Sequence, residues 1–210
     1  MGIWLLCALG LWAVSLPVRA DLAYKAGLAA SQQGSYMKAV GYYREAVALQ
    51  ARIEPYQMEL ANTWRTLGTL SNDAAERTRC FNQAWEIADR LVRDHRYDAD
   101  VWNNRGVAAM WLVELDHREN LREEAKRSFE QAVQLDPVFV DAWGNWAKWE
   151  HLAGHLDREK DLWRKVLGIK PDHPMALQVL QLPSSPAVSG RGSNGKPGDS
   201  PPMTAGNDKL

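Results

Sequence analysis

The sequence predicts an all-α protein: an α-solenoid of about four helical hairpins with a capping helix, spanning residues 21–182. Three observations predict it. Apolar residues return with the helical period in one segment after another, and no alternating strand pattern recurs. The segment SFEQAVQLDP, ending at Pro137, superimposes on LWRKVLGIKP, ending at Pro171, a separation of 34 residues. Helical pairs that repeat at such a period cannot each bury their apolar face alone, so they stack. Finally, Trp64 and Gly68 are spaced i, i+4, as are Trp102 and Gly106. Small residues let two helices approach closely, and bulky ones fill the space beside them.

The segments follow in order. Residues 3–18, IWLLCALGLWAVSLPV, are apolar and uncharged. They are short for a membrane span, which needs about 20 residues, and match the apolar core of a signal peptide. Val18-Arg19-Ala20 places small residues before a cut ahead of Asp21. No Lys or Arg precedes the run, while Arg19 and Lys25 follow it, the reverse of the bias for export. Residues 1–20 are therefore read as a signal peptide or a membrane anchor, outside the fold.

Asp21–Gln50 forms the first hairpin. Gly27, Gly34, Tyr36, Ala39, Tyr43 and Ala46 sit as in the tetratricopeptide pattern, which this segment resembles. The resemblance implies Gly27 as the close-contact position of the first helix, Gly34-Ser35 as the turn, and Ala39, Tyr43 and Ala46 as the inner face of the second. The proline expected next is displaced to Pro55, which predicts that the second helix overruns by about two turns. In Tyr56–Arg96, a degenerate second hairpin, Gly68 and Ala84 are 16 residues apart where Gly27 and Ala46 are 19 apart. The join at Ser71-Asn72-Asp73 is altered, and Asn72 or Asp73 is the expected N-cap of a helix over Ala74–Arg93.

Asp98–Pro137 is the third hairpin. Its extra residues lie in LDHRENLRE, expected either to lengthen the helices or to form a protruding corner. Val140–His173 is the fourth and most regular, with Trp143, Trp146, Ala147 and Glu150 on one stripe. Pro174–Leu182 starts a capping helix. In residues 183–210, 15 of 28 positions are Pro, Gly or Ser and none is aromatic, a composition expected to be disordered.

Composition narrows the function. A net charge of −1 does not provide the basic face of a nucleic-acid binder. With only Cys7 and Cys80, neither a disulfide framework nor a cysteine zinc site is expected. Eight of the ten tryptophans lie beyond residue 20, at helical positions that suit packing.

These repeats resemble the tetratricopeptide family over roughly residues 21–182. The resemblance implies a scaffold that binds an extended or helical segment of a partner protein in a concave groove, lined by the first helix of each hairpin. A narrower resemblance rests on RADLAYKAG after an apolar helix, then QGSYMKAVGYYREAVAL, EPYQMELANTWRTLG, YDADVWNNRG and a Trp-rich last repeat. These are similar to the C-terminal repeat region of bacterial O-antigen ligase or polymerase-like membrane proteins. That resemblance implies at most an accessory part in envelope polysaccharide assembly, since the many membrane helices carrying the transferase chemistry are lacking and no catalytic residue carries over.

Projecting the first helices leaves Tyr24, Lys25, Arg65, Asn103, Asn104, Asn145, Lys148 and His151 toward the groove. Asn amides suit a partner's backbone, and Lys and Arg suit a carboxylate. The set resembles the carboxylate-clamp grooves of chaperone-binding relatives, although their Lys and Asn spacing is not reproduced. A solvated helix face is the plainer account of the same residues.

His151 and His155 stand at the i, i+4 spacing of a two-imidazole metal site, but Glu150 precedes the first and Gly154 ends the helix, so His155 reads as a turn residue. Asp116, Glu119, Glu123 and Glu124 alternate with Arg118, Arg122 and Lys126, the pattern of a salt-bridged exposed face. No nucleophile triad, phosphate loop or nucleotide fingerprint occurs. The expectation is no catalysis and no cofactor, metal, nucleic-acid or small-molecule partner.

Overall fold

The computed structural model describes residues 2–182, with side chains from Ser15 onward. Its helices are α1 (Gly2–Gln32), α2 (Tyr36–Leu49), α3 (Glu54–Leu70), α4 (Ala74–Asp94), α5 (Ala99–Asp116), α6 (Arg122–Leu135), α7 (Val140–Leu152), α8 (Leu156–Ile169) and α9 (Pro174–Val179). No strand occurs among the described residues. The pairs α1/α2, α3/α4, α5/α6 and α7/α8 are antiparallel hairpins, each packed on the next in the chain, and α9 closes the last. The first helices also meet one another: α5 touches both α3 and α7.

One contact recurs inside the hairpins. A β-carbon built on Gly27 would lie 2.5 Å from Tyr43 Cε1; on Gly68, 2.9 Å from Phe81 Cε2; and on Gly106, 2.6 Å from Phe129 Cε1. Each ring thus occupies the volume of the missing side chain and is fully buried. In the fourth hairpin the larger Trp163 faces Gly144 at an ordinary 3.4 Å and is also buried. The turns inside the first and fourth hairpins pass through Gly34 (φ 71°) and Gly154 (φ 79°), left-handed conformations that glycine adopts without a Cβ penalty.

A second lock is made by indoles. Trp102 Nε1 donates to the carbonyl of Arg96, and Trp143 Nε1 to that of Pro137, each at 2.9 Å and six residues back. Both acceptors sit in the loop before the helix. Trp64 has no such partner, because α3 begins at Glu54 and the carbonyl six residues back, that of Met58, lies inside the helix.

Several expectations change. The predicted overrun of α2 does not occur: it stops at Leu49, and Pro55 instead stands in the first turn of α3, where its missing N–H has no intrahelical acceptor to lose. Asp73 is the N-cap of α4, its carboxylate accepting from Ala75 N at 2.9 Å. The insertion in the third hairpin lies at the junction of α5 and α6. It extends α5 to Asp116, then turns through His117 (φ 49°) and a short 3₁₀ segment, Glu119–Leu121, whose Leu121 is buried.

The division drawn between residues 20 and 21 falls inside the continuous helix α1, and Ala20 already packs with Ala23, Ala46 and Tyr56. Among the described residues, no helix is long and apolar enough to cross a membrane. The side chains of residues 3–14, which carry most of the leader expectation, and the tail from Pro183 onward both lie outside the described residues.

Between α4, α5 and α6 sits a buried charge. Arg105, 8% exposed, pairs with Asp89 at 2.9 Å and Glu124 at 2.8 Å and donates to Ser128 Oγ at 2.8 Å. Its guanidinium lies 4.6 Å from the Trp85 ring centroid and 5.8 Å from that of Trp102. These partners come from α4, α5 and α6, so the cluster fixes the relative placement of three helices.

Candidate functional site

The repeat brings equivalent positions of α3, α5 and α7 side by side, and their outward residues form a concave hollow of about 410 Å³. Arg65 comes from α3, Asn103 and Asn104 from α5, and Asn145 and Lys148 from α7. These five projected residues converge. Asn62, one turn before Arg65 on the same helix, joins them and was missed; its i−3 spacing from Arg65 was the available signal.

The floor is an amide ladder. Asn145 Nδ2 donates to Asn103 Oδ1 at 3.0 Å, tying α7 to α5, and Lys148 Nζ reaches Asn145 Oδ1 at 3.5 Å. Asn104 Nδ2 donates to the Asp100 carbonyl at 3.1 Å and to Met58 Sδ at 3.2 Å, so it is committed to holding α5 on α3. Asn103 and Asn104 are both buried.

On this floor stand two cations without a carboxylate within ion-pair distance among the described residues. Burial lowers the pKa of Arg65, against the attraction of Asp141. Burial also lowers that of Lys148; Asp141 opposes this, and the nearby positive charge of Arg65 adds to it. Arg65 Nε and Asn62 Oδ1 are buried with no hydrogen-bond partner among the described residues. At the rim, burial raises the pKa of Asp100, and Asp98, Asp136 and Asp141 raise it further. The hollow therefore has a cationic floor and an acidic edge.

The other three projected residues lie elsewhere. Tyr24 packs against Tyr56 and Tyr43, with ring centroids 4.9 and 5.9 Å away, and serves the first hairpin's core. Lys25 is exposed and pairs with Asp21 at 2.7 Å, one helical turn back. His151 lines a neighbouring hollow of about 370 Å³ with Met110, Trp111, Leu152 and Met175.

His151 and His155 do not converge. His151 Nδ1 meets Glu159 Oε2 at 2.8 Å, and His155 Nδ1 meets Glu150 Oε2 at 2.7 Å. Both carboxylates are buried, and each also accepts from an indole: Glu159 from Trp163 at 3.3 Å and Glu150 from Trp146 at 2.9 Å. The two histidines thus clasp α7 to α8 from opposite directions. No group of three or more metal-ligating side chains occurs among the described residues. His155 immediately precedes α8, in the turn position read from the sequence.

No family model matches the chain. It is 25% identical over 126 residues to the photosystem I assembly protein Ycf3 of Acaryochloris marina, covering 60% of this chain and 75% of that protein. Solved structures share the architecture at low identity. The tetratricopeptide protein TTC0263 of Thermus thermophilus superimposes with a TM-score of 0.63 at 17% identity, covering 77% of this chain and 79% of its own. A MamA structure gives 0.60 at 17% identity, over 77% and 79% of the two chains. MamA of Desulfovibrio magneticus gives 0.59 at 15%, over 74% and 77%. The fold is the tetratricopeptide-type α-solenoid.

Proposed function

We propose that this tetratricopeptide-type solenoid is a non-catalytic scaffold that binds a segment of a partner protein in the concave groove formed by α3, α5 and α7. The observation carrying this reading is the pair Arg65, half-buried, and Lys148, exposed, which line one hollow with no carboxylate of the described chain within ion-pair distance. Holding Arg65 with its Nε buried and unpartnered costs folding free energy, and a ligand carboxylate would offset that cost. The amide ladder beneath them offers donors and acceptors suited to an extended backbone. A relative that bears the name of an assembly protein, and neighbours with stacked helical pairs, fit a binding role.

Charge reversal at both cations tests the reading. The full chain with R65E and K148E, isolated from its native host beside the wild type, is expected to lose a specific co-purifying protein while its thermal unfolding stays cooperative. Retention of the same partner by the folded double variant would rule out the groove as its binding site.

The scaffold is further proposed to work exported or membrane-held through residues 3–18. The intact mass of native material decides between the two: a chain starting at Asp21 means a removed leader, and a retained Met1 an anchor. Retained residues 1–20 on protein that partitions wholly into the soluble fraction would contradict both.

A further inference from the structure

The groove does not end at Lys148. The second hollow continues from it, and the two share Lys148, Trp163 and Met175 as common walls. Their chemistry differs sharply. The first is floored by amides and cations with Asp100 and Asp141 at its edge, whereas the second is lined mainly by Met110, Trp111, Leu152, Met175 and Val179. It exists because α5 runs on to Asp116, carrying Met110 and Trp111 past the amide ladder, and because α9 is short and covers only part of the end. Leu152 and Met175 remain 45% and 42% exposed at its mouth, large apolar side chains left facing solvent on a concave surface.

Apart from the shared Lys148, the polar side chains lining this second hollow are His151, Glu159 and Glu114. The Glu159 carboxylate is held by His151 and Trp163, so it makes no demand on a ligand. Glu114, also on the lining, is exposed, and its carboxylate disfavours an anion in this hollow.

We infer that the groove selects a partner segment in which an acidic group closely adjoins a bulky apolar side chain. The carboxylate lies between Lys148 and Arg65, and the apolar side chain fills the hollow under Leu152 and Met175. This rests on the groove reading above and narrows it to a class of partner.

A random peptide library displayed on phage and selected against the full chain tests it. Enriched sequences are expected to place Asp or Glu close to Leu, Met, Phe or Trp. A synthetic peptide of that sequence should bind the exposed-site variant L152Q/M175Q about tenfold or more weakly, the scale of one buried apolar anchor. Its affinity should also fall for R65E/K148E. Peptides sensitive to R65E/K148E but indifferent to L152Q/M175Q would overturn the two-part site and leave the groove reading standing. Enriched peptides indifferent to both variants, or no enrichment at all, would overturn both.

Discussion

The ring of Phe129 on α6 rests on the backbone of Gly106 on α5, so near that an added β-carbon would come within 2.6 Å of Cε1. Phe129 is fully buried and has no open space to retreat into. Gly106→Ala is therefore expected to destabilise the fold by roughly 1–3 kcal/mol through overpacking, despite alanine's better helix propensity. A methyl group added at Gly41 in α2 would meet nothing within 4 Å, so Gly41→Ala should stabilise by about 0.5–1 kcal/mol. Urea midpoints of the two variants should move in opposite directions.

Arg105 is a buried charge that ties three helices together. Removing it leaves Asp89 and Glu124 facing a buried void beside Trp85. Arg105→Ala is expected to cost on the order of 3 kcal/mol in equilibrium unfolding. Arg105→Lys should recover only part of this, because a lysine lacks the planar fork that meets Asp89, Glu124 and Ser128 together.

The three repeat tryptophans should respond unequally to loss of the indole N–H. Trp102→Phe and Trp143→Phe each break a bond to a loop carbonyl and should destabilise by about 1 kcal/mol. Trp64→Phe removes a buried donor that has no partner among the described residues and should be neutral or mildly stabilising, once the smaller ring is accommodated. Thermal midpoints of the three single variants compare them directly.

Glu59 sits half-buried on α3 with no ion pair among the described residues, and burial raises its pKa. The sign follows from linkage. A carboxyl whose folded pKa exceeds its unfolded value favours folding while protonated, and that advantage is lost as pH rises through the folded pKa. Glu59→Gln should therefore raise the unfolding midpoint at neutral pH. The gain should shrink on acidification and vanish below about pH 4, the ordinary carboxylate range. A gain independent of pH would show that charge is not its cause.

Much of the architecture was legible because the repeat writes the same physical solution several times. Gly27 with Tyr43, Gly68 and Gly106 mark close helix contacts that periodicity alone locates. The same register places Arg65, Asn103, Asn104, Asn145 and Lys148 on one hollow, because equivalent positions of successive first helices lie side by side. Pro55 misled because a proline excluded from a helix interior is welcome in a first turn, and sequence spacing alone did not distinguish the two. Tyr24 lies apart from that hollow because it packs on Tyr56 of the next hairpin, and His151 because it lines the second hollow beside the extended α5. The Arg105 cluster draws on α4 and α6 at once, so no local pattern announced it.

The groove itself is tested most directly by placing a photo-crosslinking residue at Asn145, on the groove floor, and separately at Gln134, exposed on the second helix α6. In the full chain within its native host, irradiation should yield a discrete protein adduct from position 145 that R65E/K148E abolishes, and none of the same mass from position 134. An adduct formed equally from both positions, or only from position 134, would contradict binding in the concave groove.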